Sequence, residues 1–295
     1  MKRITAIILA LALCALPLCG CAGEQRFDAS AAVTVITRED GSGTRGAFVD
    51  LLGIRRKLPD GGAWDYTTEE ALVTNSTSNV MLSVSLNPHA VGYISLGSLS
   101  GMVKALSIDG VYPAAASVKD GSYPVSRAFY VATKGAPQGL AADFLAFVLS
   151  AEGQAVVEAD GYVSVADGAA AYAGAPHGGK LVIAGSSSVT PVMEKLKEAY
   201  IARNPGVEIE IQQSDSSTGL TAAAEGICDI GMSSRPLKDS ELAEGLEPLS
   251  VALDGIAVVV NNDNPFNGLR ADTVRRIYEG ELTTWMQVEE AEGAR

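Results

Sequence analysis

Three times in this chain a run of apolar, mostly β-branched residues leads into a turn of Gly, Ser and Thr and then into a helical pattern. Ala32–Ile36 runs into Thr37–Arg45 (Thr-Arg-Glu-Asp-Gly-Ser-Gly-Thr-Arg), Leu181–Ala184 into Gly185–Ser188, and Val207–Gln212 into Ser214–Gly219. A strand that feeds a helix through a tight turn is the repeating unit of α/β architecture, and its recurrence implies largely parallel sheets flanked by helices. Further strands are expected at Val91–Ser95, Phe129–Thr133, Asp229–Met232 and Ile256–Val260, and helices at Ala141–Leu149, Thr190–Tyr200, Leu220–Glu225 and Asp272–Tyr278. Ala71–Leu86 fits either a strand or a helix from Asn79 onward, since its periodicity does not separate the two.

The turns carry chemistry of their own. The first N–H groups of a helix have no partner within the helix, and its dipole presents positive charge at that end, so each turn is suited to an anion. Ser42 and Thr44 add hydroxyl donors, and Arg38 adds a fixed cation. Each turn alone serves equally well as a simple helix cap. Where three coincide at the carboxyl ends of strands, a shared ligand becomes the sharper reading. Other chemistries lack their residues. No Lys occupies a P-loop position, no Gly-x-Ser-x-Gly elbow occurs, and His89 and His177 have no neighbouring ligand cluster for a metal. Asp229 stands between apolar residues at a strand start. It is either a turn cap or an acceptor for the proton of a bound oxyanion, and the second role would favour phosphate over a bare dianion such as sulfate.

At 295 residues the chain is long enough for two lobes, with 47% apolar and 19% charged residues. Its formal net charge of −13 with no basic patch argues against a nucleic-acid partner. Lys2-Arg3 followed by the apolar run Ile4–Leu18 has the form of a signal peptide, too short for a membrane span. The run ends in Leu18-Cys19-Gly20-Cys21, which resembles the bacterial lipobox and makes Cys21 the expected lipidation site. Cys14 and Cys19 leave with the signal, so the exported part retains Cys228 as a buried small residue and no disulfide is expected.

Several motifs in series resemble one family. Gly-Ser-Ser-Ser-Val-Thr-Pro (185–191), Asp-Ile-Gly-Met-Ser-Ser-Arg (229–235), Ala-Leu-Asp-Gly-Ile-Ala-Val-Val-Val-Asn (252–261) and Ile-Tyr-Glu-Gly-Glu-Leu-Thr-Thr-Trp (277–285) are similar to the amino-terminal half of the phosphate-binding subunit of the bacterial phosphate ABC importer. Thr37–Arg45, Gly-Tyr-Ile-Ser-Leu-Gly (92–97), Asp-Gly-Ser-Tyr-Pro-Val-Ser-Arg (120–127) and Leu-Ser-Ala-Glu-Gly-Gln (149–154) are similar to its carboxy-terminal half. The order is reversed, which indicates circular permutation; an offset piece of a tandem repeat is the competing explanation.

The resemblance implies a two-lobed, type II periplasmic-binding-protein fold with mixed, mostly parallel sheets. The expected organisation is a signal peptide over 1–20 and a tether over 21–31. One lobe would comprise 32–100 plus 262–295, and the other 101–165 plus 181–261. The Ala/Gly-rich stretch 166–180 would link the family's usual termini. Carried over by position, Arg38, Ser42, Gly43 and Thr44 would hold phosphate from one lobe, and Ser187, Ser188, Ser216 and Asp229 from the other. Asp40 would orient Arg38. The turn around Ser216 departs from the family's more Gly-rich pattern. The implied protein is a monomeric, lipid-anchored receptor on the extracytoplasmic face of the cell membrane. It would need no cofactor or metal, perform no catalysis, and pass inorganic phosphate to the transmembrane subunits of an ABC permease. A receptor for sulfate or molybdate, an exported anion sensor and a phosphate-ester hydrolase are the alternatives.

Overall fold

One strand runs through both halves of the computed structural model, which describes residues 27–59, 61–174 and 178–293. The signal segment, Cys21 and His177 lie outside the described residues. In chain order the elements that build the site are β1 (Thr34–Arg38), α1 (Gly43–Leu51), β2 (Leu72–Thr74), α2 (Thr77–Ser85), β3 (Ala90–Ser95) and β4 (Ser126–Lys134). They are followed by β5 (Gly179–Ser186), α3 (Thr190–Arg203), β6 (Val207–Ser214), α4 (Ser216–Ala224), β7 (Ile230–Ser233) and the 15-residue β8 (Leu246–Val260).

The hydrogen-bonded order is β6-β5-β7-β4-β8-β3-β1-β2. The strands β6, β5 and β7 are mutually parallel, as are β3, β1 and β2, whereas β4 and β8 run antiparallel to their neighbours. This is the mixed, mostly parallel α/β sheet expected from the strand–turn–helix units. β8 divides it. From Leu246 to Gly255 it pairs with β4, and from Ile256 to Val260 with β3. At the switch Ile256 N–H donates to the Val125 carbonyl at 2.7 Å, so two adjacent chain segments cross between the lobes.

Two main cores follow from this division. One gathers Val35, Phe48, Val49, Tyr93, Tyr278 and Trp285; the other gathers Phe129, Phe144, Phe147, Ile183, Leu196 and Ile230. Leu106, Ile108, Val118, Tyr123 and Val125 also pack in the first core. The first lobe therefore continues past residue 100 to the crossing at 125–126, and it resumes at Ile256 rather than at 262. The expected bounds, 100/101 and 261/262, lie away from these crossings, because β8 passes between the lobes without a break in its own conformation.

Local readings change as well. Ala71–Leu86 holds both candidates in succession, β2 and then α2, with Ser76 capping α2 by accepting Asn79 N–H at 3.2 Å. Between α1 and β2 a hairpin pairs Arg55–Lys57 with Ala63–Asp65. Ser216 opens α4 instead of lying within a turn, because Asp215 is the cap and accepts Thr218 N–H at 2.9 Å. The end of the expected tether is docked on the first lobe. Phe27 packs against the rings of His89, Phe266 and Trp285, and Ala29 O accepts Met286 N–H at 2.7 Å. In the linker, Ala170 O accepts Ala151 N–H and the Tyr172 ring meets Phe147 edge-on. Cys228 is buried and free, as its apolar setting suggested.

Candidate functional site

The carboxyl ends of β1, β5 and β7 face one another across the cleft between the lobes, and the residues just beyond them are nearly all small and hydroxylic. On the first lobe β1 ends at Arg38, which is 2% exposed. Its backbone N–H donates to the Tyr93 hydroxyl at 3.1 Å, and the Tyr93 ring stacks on Phe48 of α1 with centroids 3.9 Å apart. Burial pushes the Tyr93 phenol up to about 12, which keeps it a neutral hydrogen-bonding group. Arg45 braces the same loop from outside, donating to the Arg38 carbonyl at 3.0 Å and to Asp65 at 3.0 Å. Burial opposes ionisation of Asp65, yet hydrogen bonds from Thr67 and the Arg45 charge hold its carboxyl below the ordinary value.

Four helices of eight or more residues begin at this place. α1 starts at Gly43 behind its cap Ser42, α2 at Thr77, α3 shortly after Ser187-Ser188, and α4 at Ser216. Their dipoles converge with positive ends inward. The approach of α4 depends on Gly219: a Cβ there would lie 2.4 Å from Gly185 Cα, so the helix sits directly on β5 and carries Ser216 to the cleft.

The hydroxyls form one buried network that spans the lobes. Thr44 Oγ1 lies 2.7 Å from Ser188 Oγ, and Thr77 Oγ1 lies 3.2 Å from the same atom. Arg38 Nη2 donates to Ser187 Oγ at 3.1 Å. Ser234 Oγ is 2.9 Å from Ser186 Oγ and 3.4 Å from both Thr44 Oγ1 and Ser216 Oγ. Buried hydroxyls in such number are costly unless they are paired, and here each can donate or accept.

Most expected site residues therefore meet: Arg38, Gly43, Thr44, Ser187, Ser188 and Ser216 line the junction, with Ser42 buried beside it as the α1 cap that accepts Arg45 N–H. Two do not. Asp229 precedes β7 at its amino end, is exposed, and accepts Val182 N–H at 2.7 Å. Strand rise puts it about 16 Å from Ser234, at the opposite end of β7 from the junction. Its carboxylate extends the β5–β7 ladder by one bond at that end. Asp40 is also misplaced: its side chain is 95% exposed and pairs with Arg45. The carboxylate that orients Arg38 is Glu39, whose two oxygens take Arg38 Nε at 2.8 Å and Nη2 at 2.7 Å.

Thr77, Ser186, Ser234 and Glu39 were not singled out in the sequence. Ser186 and Ser234 lay inside quoted motifs, and Thr77 follows a cap signal, Asn75-Ser76, in a stretch whose period was ambiguous. Only the register of β5 against β7 shows which serines of each run point into the junction. Arg127 and Arg235 flank it, each already joined to a carboxylate, Asp254 at 3.2 Å and Glu241 at 2.7 Å. Among the described residues no His/Cys/Asp/Glu group could hold a metal ion, and no single helix is long and apolar enough to cross a membrane. The side chains gathered here can hydrogen-bond an acceptor-rich ligand.

Comparison with known proteins agrees with this architecture. A PBP superfamily domain model matches residues 24–152 and 170–294. The phosphate-binding protein PstS 2 of Streptococcus agalactiae is 49% identical over 269 residues, 91% of this chain and 92% of that one. PstS 2 of Streptococcus pneumoniae is 41% identical over 288 residues, covering 97% and 98%. The crystal structure of a phosphate ABC transporter's phosphate-binding protein from Streptococcus pneumoniae superposes with a TM-score of 0.69 at 43% identity, covering 88% of this chain and 100% of that one. With nearly the full length shared at 41–49% identity, the chain belongs to the PBP superfamily and, within it, to the family of bacterial phosphate-binding proteins.

Proposed function

We propose that this protein captures inorganic phosphate between its lobes outside the cytoplasm and delivers it to the transmembrane subunits of an ABC permease. The observation that carries the reading is the buried inter-lobe network of Arg38, Thr44, Thr77, Ser187, Ser188, Ser216 and Ser234 at four helix starts. It offers many donors to a tetrahedral oxyanion and no nucleophile–base pair for covalent chemistry. Ser42 and Gly43 contribute backbone at the start of α1. The names of the full-length relatives support the same ligand. Charge-assisted hydrogen bonds at roughly 1.5–3 kcal/mol each leave room for micromolar or tighter binding after closure costs.

Lipidation of Cys21 would hold the receptor at the outer face of the cell membrane, with the segment from Phe27 onward docked on the first lobe. The reversed motif order is read as circular permutation of a monomer. Its support is the closeness of the two ends: Val33 N–H donates to the Thr283 carbonyl at 2.9 Å, so a short connection could join them. A chain rearranged to begin at residue 179 and end at 165 should fold and bind as a monomer; failure to fold would overturn the permutation.

Calorimetry on the full chain in detergent should give one phosphate site per chain with micromolar or tighter affinity. Absence of phosphate binding would refute the function.

A further inference from the structure

The carboxylate expected to screen ligands is absent from the junction, and Ser234 occupies its centre. We propose that Ser234 is the specificity-determining residue of this site. By presenting a hydroxyl where an acidic acceptor would enforce a ligand proton, it opens the site to fully deprotonated tetrahedral oxyanions, sulfate as well as phosphate. The inference rests on the reading of the junction as the phosphate site.

Ser234 is fully buried, and its side chain touches hydroxyls from three separate elements: Thr44 of α1, Ser186 of β5 and Ser216 of α4. Its main chain is fixed on both sides of Cα. The N–H donates to Ser216 Oγ at 3.1 Å, and the carbonyl accepts Arg127 Nη1 at 3.0 Å. A group attached here points into the middle of the hydroxyl network.

Each carboxylate nearby is committed elsewhere. Both oxygens of Glu39 face Arg38, and both of Glu241 face Arg235. Asp254 accepts Ser95 Oγ with one oxygen and Arg127 with the other. Asp215 caps α4 through Thr218, Asp40 turns out to Arg45, and Asp229 lies at the opposite end of β7. Among the described residues no carboxylate makes a hydrogen bond to a hydroxyl of the junction.

The chemical consequence follows from donor and acceptor counting. An ionised carboxylate only accepts, so it repels an oxyanion oxygen that carries no proton and welcomes one that does. A serine hydroxyl rotates to donate to a bare oxygen or to accept from a protonated one. A junction lined by Ser and Thr therefore has no device that separates sulfate from phosphate by protonation; size and tetrahedral shape, which the two anions share, are what remain.

The experiment is calorimetry on the full chain in detergent with phosphate and with sulfate, for the wild type, Ser234→Asp and Ser234→Ala. The wild type should bind sulfate within about 30-fold of phosphate, a gap of only about 2 kcal/mol. Ser234→Asp should weaken sulfate at least ~10-fold more than phosphate, because the new carboxylate accepts only a protonated partner. Ser234→Ala should weaken both anions alike. Phosphate binding with sulfate more than about 1,000-fold weaker in the wild type would overturn the inference and leave the receptor reading standing. Failure to bind phosphate at all would overturn the reading beneath it. Should Ser234→Asp not fold, the wild-type ratio alone still decides.

Discussion

Gly43 offers a way to obstruct closure while sparing the fold. It opens α1 in the first lobe, and a Cβ at that position would lie 2.4 Å from Ser216 Oγ, 2.7 Å from Ser234 Oγ and 3.1 Å from Arg235 Cγ, all in the second lobe. Ordinary contact starts near 3.4 Å, so Gly43→Ala leaves the lobes about 1 Å too close to shut. Backing off by that distance stretches the Thr44–Ser188, Arg38–Ser187 and Thr77–Ser188 contacts from 2.7, 3.1 and 3.2 Å to beyond hydrogen-bonding range. Three such bonds are worth roughly 1.5–4.5 kcal/mol together, which corresponds to about a 10- to 1,000-fold loss of phosphate affinity.

The alternative relief, turning the two serine hydroxyls away, breaks Ser234 N–H to Ser216 Oγ and Ser186 Oγ to Ser234 Oγ and costs a similar amount. Gly43 is not among the residues with positive φ, so alanine meets no backbone strain, and stability in urea should change by less than about 1 kcal/mol. Calorimetry paired with urea unfolding makes the test. Phosphate affinity within threefold of wild type, in a variant of unchanged stability, would refute the argument that closure brings these atoms together.

Three further outcomes are expected. Arg38→Lys keeps the charge but loses the planar fork shared between Glu39 and Ser187, so phosphate affinity should fall about 10- to 100-fold, whereas Asp40→Asn should change it less than about twofold by the same calorimetric titration. Asp229→Asn should leave phosphate binding untouched and cost about 1 kcal/mol in urea unfolding, through the weaker bond to Val182 N–H; a changed affinity would return Asp229 to the site. Burial raises the Asp254 carboxyl from 3.8 to about 6 despite Arg127. The folded state therefore holds this proton more tightly than the unfolded chain. Its contribution is fully present below pH 3.8 and is lost as pH rises through about 6, on the order of 3 kcal/mol. The urea stability of wild type minus that of Asp254→Asn should decline across that window, and a flat difference would contradict the assignment.

The sequence carried the fold class because strand–turn–helix units are local: the residues that make β1, the turn and α1 are contiguous. The same locality explains which residues of the junction were legible. Arg38 ends β1, Thr44 lies in the first turn of the helix that follows it, and Ser187 and Ser188 follow β5 directly; a strand end in a parallel sheet has a known side. Asp229 was read at a strand start, where its apolar neighbours left both a backbone cap and a ligand acceptor open; its bond to Val182 N–H, at the end of β7 away from the junction, selects the first. Glu39 and Asp40 are adjacent, and the turn decides which one faces Arg38. Ser234 needed the pairing of β7 with β5, two elements more than 40 residues apart, before its place at the centre could be seen.

The crossing between the lobes connects these observations. β8 changes partner between Gly255 and Ile256 without interruption, so a bend there need not break the ladder within either lobe. Beside that point Asp254, in the second lobe, accepts Ser95 Oγ of the first at 2.8 Å and Arg127 at 3.2 Å. Arg127 reaches on to the Ser234 carbonyl at 3.0 Å. One short chain of hydrogen bonds thus runs from the first lobe through the hinge to the residue at the middle of the ligand junction. Opening the lobes must move Ser95 relative to Asp254, and any shift of Asp254 is felt by the guanidinium that fixes the Ser234 peptide. Losing the Ser95 bond leaves one oxygen of a buried carboxylate short of a donor, a cost of roughly 1.5–3 kcal/mol. The bonds to Ser95 and Ser234 therefore work with the pair to hold the closed arrangement, and the hinge favours the geometry in which the junction's donors are aligned.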